Sequence, residues 1–306
     1  MEKILITGGL GQIGSYLVDM LHLNSQVTVL DNMSSGSSYV VPEGVRLVKE
    51  DILSPIARNL ASDHDVVIHT AAQISVVRSM QEPVFDAQNN VFGTLNLLEG
   101  ARLGDVRKFI YISSAAVYGN PRYLPIDEEH PQDPMSPYGA SKLCGEKYCT
   151  MYHRAYGLPA VCIRPFNIYS PRQDPSNPYS GVISKFISRV SQNLPPIIFG
   201  DGSQTRDFVS AHDVVNMISL LMGDERSEGK VFNIGTGIST RIDELAGMVV
   251  DAFGSDTGIE FRDPVQGDIK DSYSDISRAK QVGYSPKVNL RSGLLEIIEA
   301  QKPGQV

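Results

Sequence analysis

The chain has 306 residues, of which 42% are hydrophobic and 20% are charged, and its formal net charge at pH 7 is −8. That length can bury a sizeable core, as one large domain or as two unequal lobes. The acidic balance argues against nucleic acid as the main partner, and no uncharged apolar run approaches the roughly 18 residues of a membrane helix. We therefore expect a cytoplasmic protein that binds neither nucleic acid nor a membrane.

Short apolar runs alternate with longer helical patterns through the first two-thirds of the chain. The runs lie at residues 3–7, 26–31, 45–50, 65–69, 108–113 and 159–165. They lack strict alternation, which is typical of strands covered by helices on both faces of a parallel sheet. The clearest helices are predicted at 84–103 and 138–157. The alternation predicts a doubly wound α/β domain of the Rossmann type.

The pattern changes after Pro165. Turn-forming residues at 170–181 lead into a predicted helix at 182–193, and the remainder from about 238 resembles short helices with small strands. Residues 206–222 and 229–235 again resemble sheet and helix of the first domain. We predict a Rossmann domain from 1–166 plus 207–237 and a smaller α/β lobe from 167–206 plus 238–306.

The first strand leads into a glycine-rich loop, in which Gly8, Gly11 and Gly14 form a G-x-x-G-x-x-G pattern. Glycines here allow a tight turn and let the backbone approach a pyrophosphate at the N-terminus of the next helix. Asp31 ends the second strand, where a carboxylate binds a ribose 2′-hydroxyl and repels a 2′-phosphate. Residues 32–38 contain no Arg or Lys, so NAD is favoured over NADP as the cofactor.

A tyrosine and a lysine stand one helical turn apart in the segment SPYGASK, at Tyr138 and Lys142. Positions i and i+4 share a helix face. One interpretation is an ordinary amphipathic helix, and the other is a proton-transfer pair. A free phenol has a pKa of about 10, and a nearby ammonium favours its ionised form. Spacing alone leaves both interpretations open.

Ten motifs run in order along nearly the whole chain: TGGLGQIG (7–14), LDNMSSG (30–36), EDI (50–52), HTAAQ (69–73), NNVFGTLNLLE (89–99), SSAAVYG (113–119), SPYGASK (136–142), IRPFNIYSPRQ (163–173), PPIIFGDGSQTRDFV (195–209) and FNIGTG (232–237). Together they resemble the extended short-chain dehydrogenase/reductase family, and within it the nucleotide-sugar 4-epimerases of the UDP-glucose/UDP-galactose type.

The resemblance implies roles for specific residues. Tyr138 resembles the catalytic base, Lys142 its partner, and Ser114 the hydroxyl that binds the reacting sugar oxygen. The residues that match the NAD site are Gly8, Gly11, Gln12, Ile13, Gly14, Asp31, Asn32, Ser35, Gly36, Asp51, Ile52, Ala71, Ala72, Gln73, Asn90, Tyr138 and Lys142. Those that match the UDP-sugar site are Ser114, Tyr138, Asn167, Ile197, Phe199, Arg206, Asp268 and Ser272.

The implied reaction is a reversible oxidation at one sugar carbon. Tyr138 removes the O4 proton while hydride passes from C4 to NAD⁺, the 4-keto sugar turns in the site, and hydride returns to its other face.

Arg206 is expected to bind the diphosphate, since a guanidinium matches phosphate oxygens; the alternative is a surface ion pair with Asp207. The six histidines do not cluster at metal-ligand spacing, so no metal site is predicted.

The sequence departs from the family pattern at several positions. Ser114 is followed by Ala115 and Ala116, where dehydratases of the family carry an acid, which favours epimerisation over elimination. Val265 replaces the Arg of an Arg-x-Gly-Asp motif and removes one phosphate contact, for which Arg262 is a candidate replacement. Ser272 is small where hexose-specific relatives have Tyr, so UDP-N-acetylhexosamines are expected to enter as well.

Several alternatives stay open. The same first steps serve a UDP-uronic acid or pentose 4-epimerase, or a nucleotide-sugar dehydratase or reductase. A non-catalytic NAD-binding regulator on this fold is a different class, although such proteins usually lose the Tyr or the Lys. In relatives the helices corresponding to 84–103 and 138–157 often pair between subunits, so a homodimer is expected.

Overall fold

The computed structural model describes residues 1–35, 39–173, 181–265 and 267–301. The strands, in chain order, are β1 (Lys3–Thr7), β2 (Gln26–Asp31), β3 (Arg46–Lys49), β4 (Val66–His69), β5 (Lys108–Ile112), β6 (Ala160–Pro165), β7 (Asn167–Tyr169), β8 (Ile197–Phe199), β9 (Thr205–Arg206), β10 (Phe208–Ser210), β11 (Val231–Ile234), β12 (Thr240–Arg241), β13 (Glu260–Arg262) and β14 (Asp271–Ser272).

Helices connect these strands. They are α1 (Gly14–Leu21), α2 (Pro55–Ser62), α3 (Val76–Gln81), α4 (Pro83–Ala87), α5 (Gly93–Leu103), α6 (Pro137–Tyr156), α7 (Val182–Val190), α8 (Ala211–Met222), α9 (Ile242–Phe253), α10 (Ser277–Gln281) and α11 (Leu290–Ala300). The helix predicted at 84–103 is interrupted, because a π-helical turn at Gln88–Phe92 joins α4 to α5. The helix predicted at 138–157 is α6.

Within the described residues, seven strands form one parallel sheet in the order β11-β6-β5-β4-β1-β2-β3. All six strands predicted in the first 166 residues belong to it, so the doubly wound Rossmann sheet is confirmed. The chain moves outward from β1 through β2 to β3 and then returns to the other side of β1 with β4. In such sheets the ligand crevice lies at this switch point, beyond the carboxyl ends of the strands.

Buried apolar residues form a cluster on each face of this sheet. One contains α1, α8 and residues such as Ile6, Val29 and Ile218, and the other contains α2, α5 and residues such as Leu5 and Phe109. Helices therefore cover both faces, which explains why the strands read as apolar runs rather than as alternating patterns.

A third apolar cluster lies in the C-terminal half and joins α7, α9 and α11. Small strand pairs accompany it: β7 with β10, β8 with β13, and β9 between β12 and β14. The segment around α10 packs elsewhere, since Ile276, Ala279 and Tyr284 belong to the first cluster on the Rossmann sheet. In the described part of the chain, no helix is both long and apolar enough to cross a membrane.

Candidate functional site

The glycine loop after β1 is a tight turn that packs against the segment following β4. Gly8 has φ +68°, and a Cβ placed on it would lie 2.7 Å from the backbone nitrogen of Ala71. A Cβ on Gly14, the first residue of α1, would lie 2.2 Å from the Gly8 carbonyl oxygen. The Gly11 N–H donates to the same carbonyl at 3.0 Å. Only glycine fits at Gly8 and Gly14, so the loop brings α1 close to β1 and β4.

The end of β2 is bonded to this loop. The Asp31 carboxylate accepts the N–H of Leu10 at 3.0 Å and the N–H of Met33 at 2.8 Å. Asn32 donates from Nδ2 to Asp51 Oδ2 at 2.8 Å, which connects the ends of β2 and β3. The structure thus places three of the residues predicted to line NAD along one edge of the sheet.

Further residues predicted for the cofactor surround the same edge. Gln12 has a buried Nε2 without a hydrogen-bond partner among the described residues. A buried donor left unpaired is costly, so it fits a polar group of a ligand beside the loop. Ile13 packs against the first apolar cluster, and Ile52 is buried against Gly93. Ser35 is exposed, and Gly36 lies outside the described residues. The donor, the glycine turn and Asp31 together fit a dinucleotide.

The segment after β4 is held by the helix that contains the π turn. The N–H of Gln73 donates to Asn90 Oδ1, and Asn90 Nδ2 donates to the Gln73 carbonyl, both at 2.9 Å. Asn90 Nδ2 also lies 3.1 Å from Ser141 Oγ on α6. Ala71 and Ala72, which precede Gln73, therefore stand between the glycine loop and α6.

Helix α6 begins at the crevice and presents Tyr138 in its first turn. Ser136 caps the helix by accepting the N–H of Gly139 at 3.1 Å, and Pro137 occupies the first turn. Ser114 follows β5, and its Oγ accepts the N–H of Ala116 at 3.1 Å, which leaves its own hydrogen for the Tyr138 hydroxyl. Burial raises the pKa of Tyr138, and the hydrogen bond from Ser114 offsets part of this effect.

Lys142 lies one turn further along α6 and is buried. Its Nζ donates to the Ile112 carbonyl at 2.8 Å and lies 5.0 Å from the centre of the Tyr111 ring. Burial lowers the pKa of Lys142 to about 8. The sequence argument expected the ammonium to lower the pKa of Tyr138. In the structure burial dominates instead, and the net shift of the phenol is upward.

A second group of predicted residues meets in the C-terminal lobe. Arg206 on β9 forms an ion pair with Asp268, with 2.8 Å between Nη2 and Oδ1, and Ser272 on β14 pairs with Arg206 in parallel register. The alternative partner of Arg206 is engaged elsewhere, because the Asp207 carboxylate accepts the N–H of Thr236 at 2.8 Å.

The remaining predicted residues lie on nearby strands. Asn167, the first residue of β7, donates from Nδ2 to the carbonyl of Asp207, just before β10, at 3.2 Å. Ile197 and Phe199 begin and end β8, and the Phe199 side chain is 46% exposed. Arg262, the candidate replacement for the family arginine, lies opposite Phe199 and forms a 2.7 Å ion pair with Glu260.

Three buried charged groups near the site were not predicted. Asp86 on α4 accepts from Gln73 and Asn90, and it precedes Asn90 by one helical turn. Glu146 on α6 binds Arg164 on β6 with both carboxylate oxygens, at 2.8 and 2.6 Å. The sequence offered one signal for them, since Asp86 and Asn90 stand at i and i+4, as do Lys142 and Glu146.

Comparisons with known proteins agree with this geometry. The UDP-glucose 4-epimerase of Mycolicibacterium smegmatis is 40% identical, with 97% of each chain covered. The structure of a UDP-N-acetylglucosamine 4-epimerase from Methanobrevibacter ruminantium M1, in complex with UDP-N-acetylmuramic acid, has a TM-score of 0.94 at 35% identity and covers 98% of this chain and 97% of that one.

A UDP-glucose 4-epimerase from Thermotoga maritima, solved with UDP-glucose, has a TM-score of 0.92 at 37% identity, with 97% of this chain and 98% of that chain covered. The sequence matches the NAD dependent epimerase/dehydratase family over residues 4–235. That match spans the glycine loop, Ser114, Tyr138 and Lys142, and the sheet that positions them. The chain belongs to the NAD-dependent epimerase/dehydratase family.

Proposed function

We propose that the protein is an NAD-dependent 4-epimerase that interconverts UDP-glucose and UDP-galactose. The observation that carries this proposal is the position of Tyr138 in the first turn of α6, near Ser114 and four residues before Lys142, which is buried at the carboxyl edge of the sheet. Two of the similar proteins described above are named UDP-glucose 4-epimerases. Membership of the NAD-dependent family implies the cofactor, and Ser114, Tyr138 and Lys142 are the side chains proposed to carry out the proton transfer.

The three side chains have distinct roles in the proposal. Tyr138 accepts the proton of the sugar O4 and later returns it, and Ser114 donates to the phenol oxygen while that oxygen is negative. Lys142 contributes positive charge from a buried position, where charge interactions are stronger than in water. NAD supplies the reversible oxidation at the sugar carbon. The raised pKa of Tyr138 means that the phenol is neutral at pH 7 until positive charge is brought beside it.

The cofactor is expected along the edge formed by the glycine loop, Asp31, Asn32 and Asp51. Backbone N–H groups at the start of α1 suit a pyrophosphate. Asp31 uses one acceptor site on each oxygen for Leu10 and Met33, and a carboxylate has further lone pairs for a ribose hydroxyl. The same negative charge disfavours a 2′-phosphate, which is the physical reason for NAD rather than NADP.

The nucleotide half of the substrate is expected between β8, β9 and β14. Arg206 offers a guanidinium for the diphosphate, Phe199 offers an exposed ring for the base, and Asp268 offers acceptors for a ribose. We propose accordingly that residues 1–166 plus 207–237 bind NAD and that residues 167–206 plus 238–306 bind the nucleotide sugar. Asn167 lies at the boundary of this lobe, where β7 pairs with β10, and Ile197 begins β8 within it.

The sugar specificity proposed here is broad. Ser272 adds little bulk beside Arg206, so a substituent at the sugar C2 is expected to fit, and UDP-N-acetylhexosamines join the substrates. The similar structure solved with UDP-N-acetylmuramic acid supports this extension. Uronic acid and pentose substrates are the alternative within the same chemistry.

Dehydration is disfavoured by the residues after Ser114. Ala115 and Ala116 form a 3₁₀ turn there, and neither carries an acid for elimination of the sugar 6-hydroxyl.

The deciding experiment incubates the purified protein with UDP- and dTDP-sugars, with and without added NAD, and follows the products by NMR. C4-inverted product supports the proposal. Release of a 4-keto-6-deoxy sugar contradicts it, as does the absence of any turnover with NAD present.

A further inference from the structure

Asp86 is a buried carboxylate beside the proposed catalytic pair. It is 1% exposed and lies on α4, which packs against α6. One oxygen, Oδ1, accepts from Gln73 Nε2 at 2.7 Å and from Asn90 Nδ2 at 3.1 Å. The other oxygen, Oδ2, is buried and bonds to no hydrogen donor in the described part of the chain.

A half-bonded carboxylate in the interior is costly unless a positive charge lies close to it. Lys142 lies on α6, the helix that packs against α4; it is 3% exposed and uses one of its three protons for the Ile112 carbonyl. Among the groups that favour the charged form of Lys142, and so raise its pKa against burial, Asp86 has the largest effect.

The other ionisable groups around Lys142 do not replace Asp86. On α6, Glu146 is already bound by the Arg164 guanidinium. On β4, burial lowers the pKa of His69 to about 3, so this imidazole is neutral at physiological pH. On β5, burial raises the pKa of Tyr111 well above its ordinary value, so this phenol is neutral too.

The two remaining neighbours are thiols rather than carboxylates. Cys149 lies on α6, and Cys162 lies on β6 beside it. Asp86 is therefore the carboxylate near Lys142 whose charge is not already balanced by an arginine, within the residues that the structure describes.

Asp86 is also connected to the first turn of α6 through hydrogen bonds. Asn90, which donates to Asp86, lies 3.1 Å from Ser141 Oγ, and Ser141 donates to the Tyr138 carbonyl at 3.0 Å. The bonds of Asp86 to Gln73 and Asn90 hold two residues that are predicted to line NAD. The same carboxylate is thus bonded to the predicted wall of the cofactor site and is linked through Asn90 and Ser141 to the backbone of Tyr138.

We propose that Asp86 is a positioning residue for the reaction: its carboxylate is the counter-ion that keeps Lys142 charged, while its bonds to Gln73 and Asn90 hold the wall of the NAD site. The inference rests on the proposed function, since it gives Asp86 a purpose only if Lys142 and Tyr138 act in catalysis.

The negative charge of Asp86 raises the pKa values of both Lys142 and Tyr138. With Asp86 in place the pKa of Lys142 is about 8, and removing the negative charge lowers it further. The same charge raises the pKa of Tyr138, so its removal makes the phenol more acidic as well. Asp86→Asn is therefore expected to shift both limbs of the pH profile of kcat/KM to lower pH.

The experiment compares the parent protein with Asp86→Asn and measures the titration of Lys142 by ¹³C NMR of labelled lysine, with the signal assigned by its loss in Lys142→Arg. The Lys142 midpoint is expected to fall by about one unit or more, the size of shift typical for the loss of a neighbouring opposite charge. Glu82→Gln is the control, because it removes one negative charge from the exposed start of the same helix. Asp86→Glu is expected to restore most of the midpoint.

Different failures lead to different conclusions. An unchanged Lys142 midpoint in folded Asp86→Asn, or an equal shift in Glu82→Gln, overturns the role of Asp86 and leaves the epimerase proposal standing. A lowered midpoint in a protein that turns over no UDP-sugar overturns the proposed function instead. Should Asp86→Asn not fold, the smaller neutral variant Asp86→Ser serves the same comparison. A loss of activity without movement of either pH limb also contradicts the inference.

Discussion

Ser272 lies directly beside Arg206, the two residues being paired in parallel register between β14 and β9. Ser272 is the residue expected to limit the sugar C2 substituent, and Arg206 is the residue expected to bind the diphosphate. Arg206 also forms an ion pair with Asp268. A change of side-chain volume at Ser272 therefore alters the space for the sugar without removing the guanidinium.

Ser272→Tyr is expected to reduce turnover of UDP-N-acetylglucosamine by about tenfold or more and to leave UDP-glucose turnover within a few-fold, because the ring occupies the space of the acetamide. Coupled assays of both substrates measure the ratio of their kcat/KM values. Ser272→Ala keeps the site small and is the control. Equal ratios in the Tyr variant and the parent would show that this residue does not gate C2.

Tyr138→Phe is expected to lower turnover by about 10²- to 10⁴-fold while NAD binding stays close to that of the parent, because the change removes only the hydroxyl that moves the proton. Turnover and NAD affinity are measured separately. The control is Tyr123→Phe, which removes an exposed hydroxyl bonded to Asp127. Near-parental turnover in the Tyr138 variant would exclude the phenol as the catalytic base.

Gly8→Ala and Gly44→Ala form a matched pair for the cofactor loop. Both glycines have positive φ, and an alanine there costs about 1–2 kcal/mol. A Cβ at Gly44 meets nothing within 4 Å, whereas a Cβ at Gly8 collides with Ala71 at 2.7 Å. Gly8→Ala is expected to lose much more NAD affinity and thermal stability than Gly44→Ala. Calorimetric NAD titration and melting curves measure this, and equal losses would contradict a close-packed loop.

The buried pair of Glu146 and Arg164 anchors α6 to β6, with both side chains 2% exposed. Glu146→Ala is expected to lower the free energy of unfolding by about 3–5 kcal/mol, because it leaves the guanidinium buried without its partner. Chemical denaturation measures the loss. The double variant Glu146→Leu/Arg164→Met is expected to be more stable than Glu146→Ala. The opposite order would show that an unpaired guanidinium is not what destabilises Glu146→Ala.

A homodimer is expected to form through α5 and α6. Phe92 at the end of the π turn before α5, Leu103 on α5, and Met151 and Tyr156 on α6 are large apolar side chains with 38% to 61% exposure. Leu103→Glu is expected to halve the mass measured by light scattering, because a buried unpaired charge opposes association. Leu23→Glu, at an exposed leucine after α1, is the control. A parent protein that is monomeric at micromolar concentration would contradict the expectation.

Much of the fold was predictable because it depends on local patterns. The six apolar runs, the glycine loop and the acidic end of β2 each carry their signal within a few residues, and all six runs are strands of the parallel sheet. The π turn at Gln88–Phe92 was not predictable from helical periodicity, because its five residues, QNNVF, include only two apolar ones and so show no change of period.

The sequence by itself determined the chemistry that is available, namely a phenol and an ammonium one turn apart, a serine hydroxyl after a strand, and a loop that only glycine can form. Tertiary structure alone decided how those groups are charged and held. The burial of Tyr138 and Lys142 depends on residues distant in the chain. The same holds for the ion pair of Arg206 with Asp268 and for the packing of α4, which carries Asp86, against α6. A pKa reflects desolvation and charges in three dimensions, which spacing along a chain does not encode.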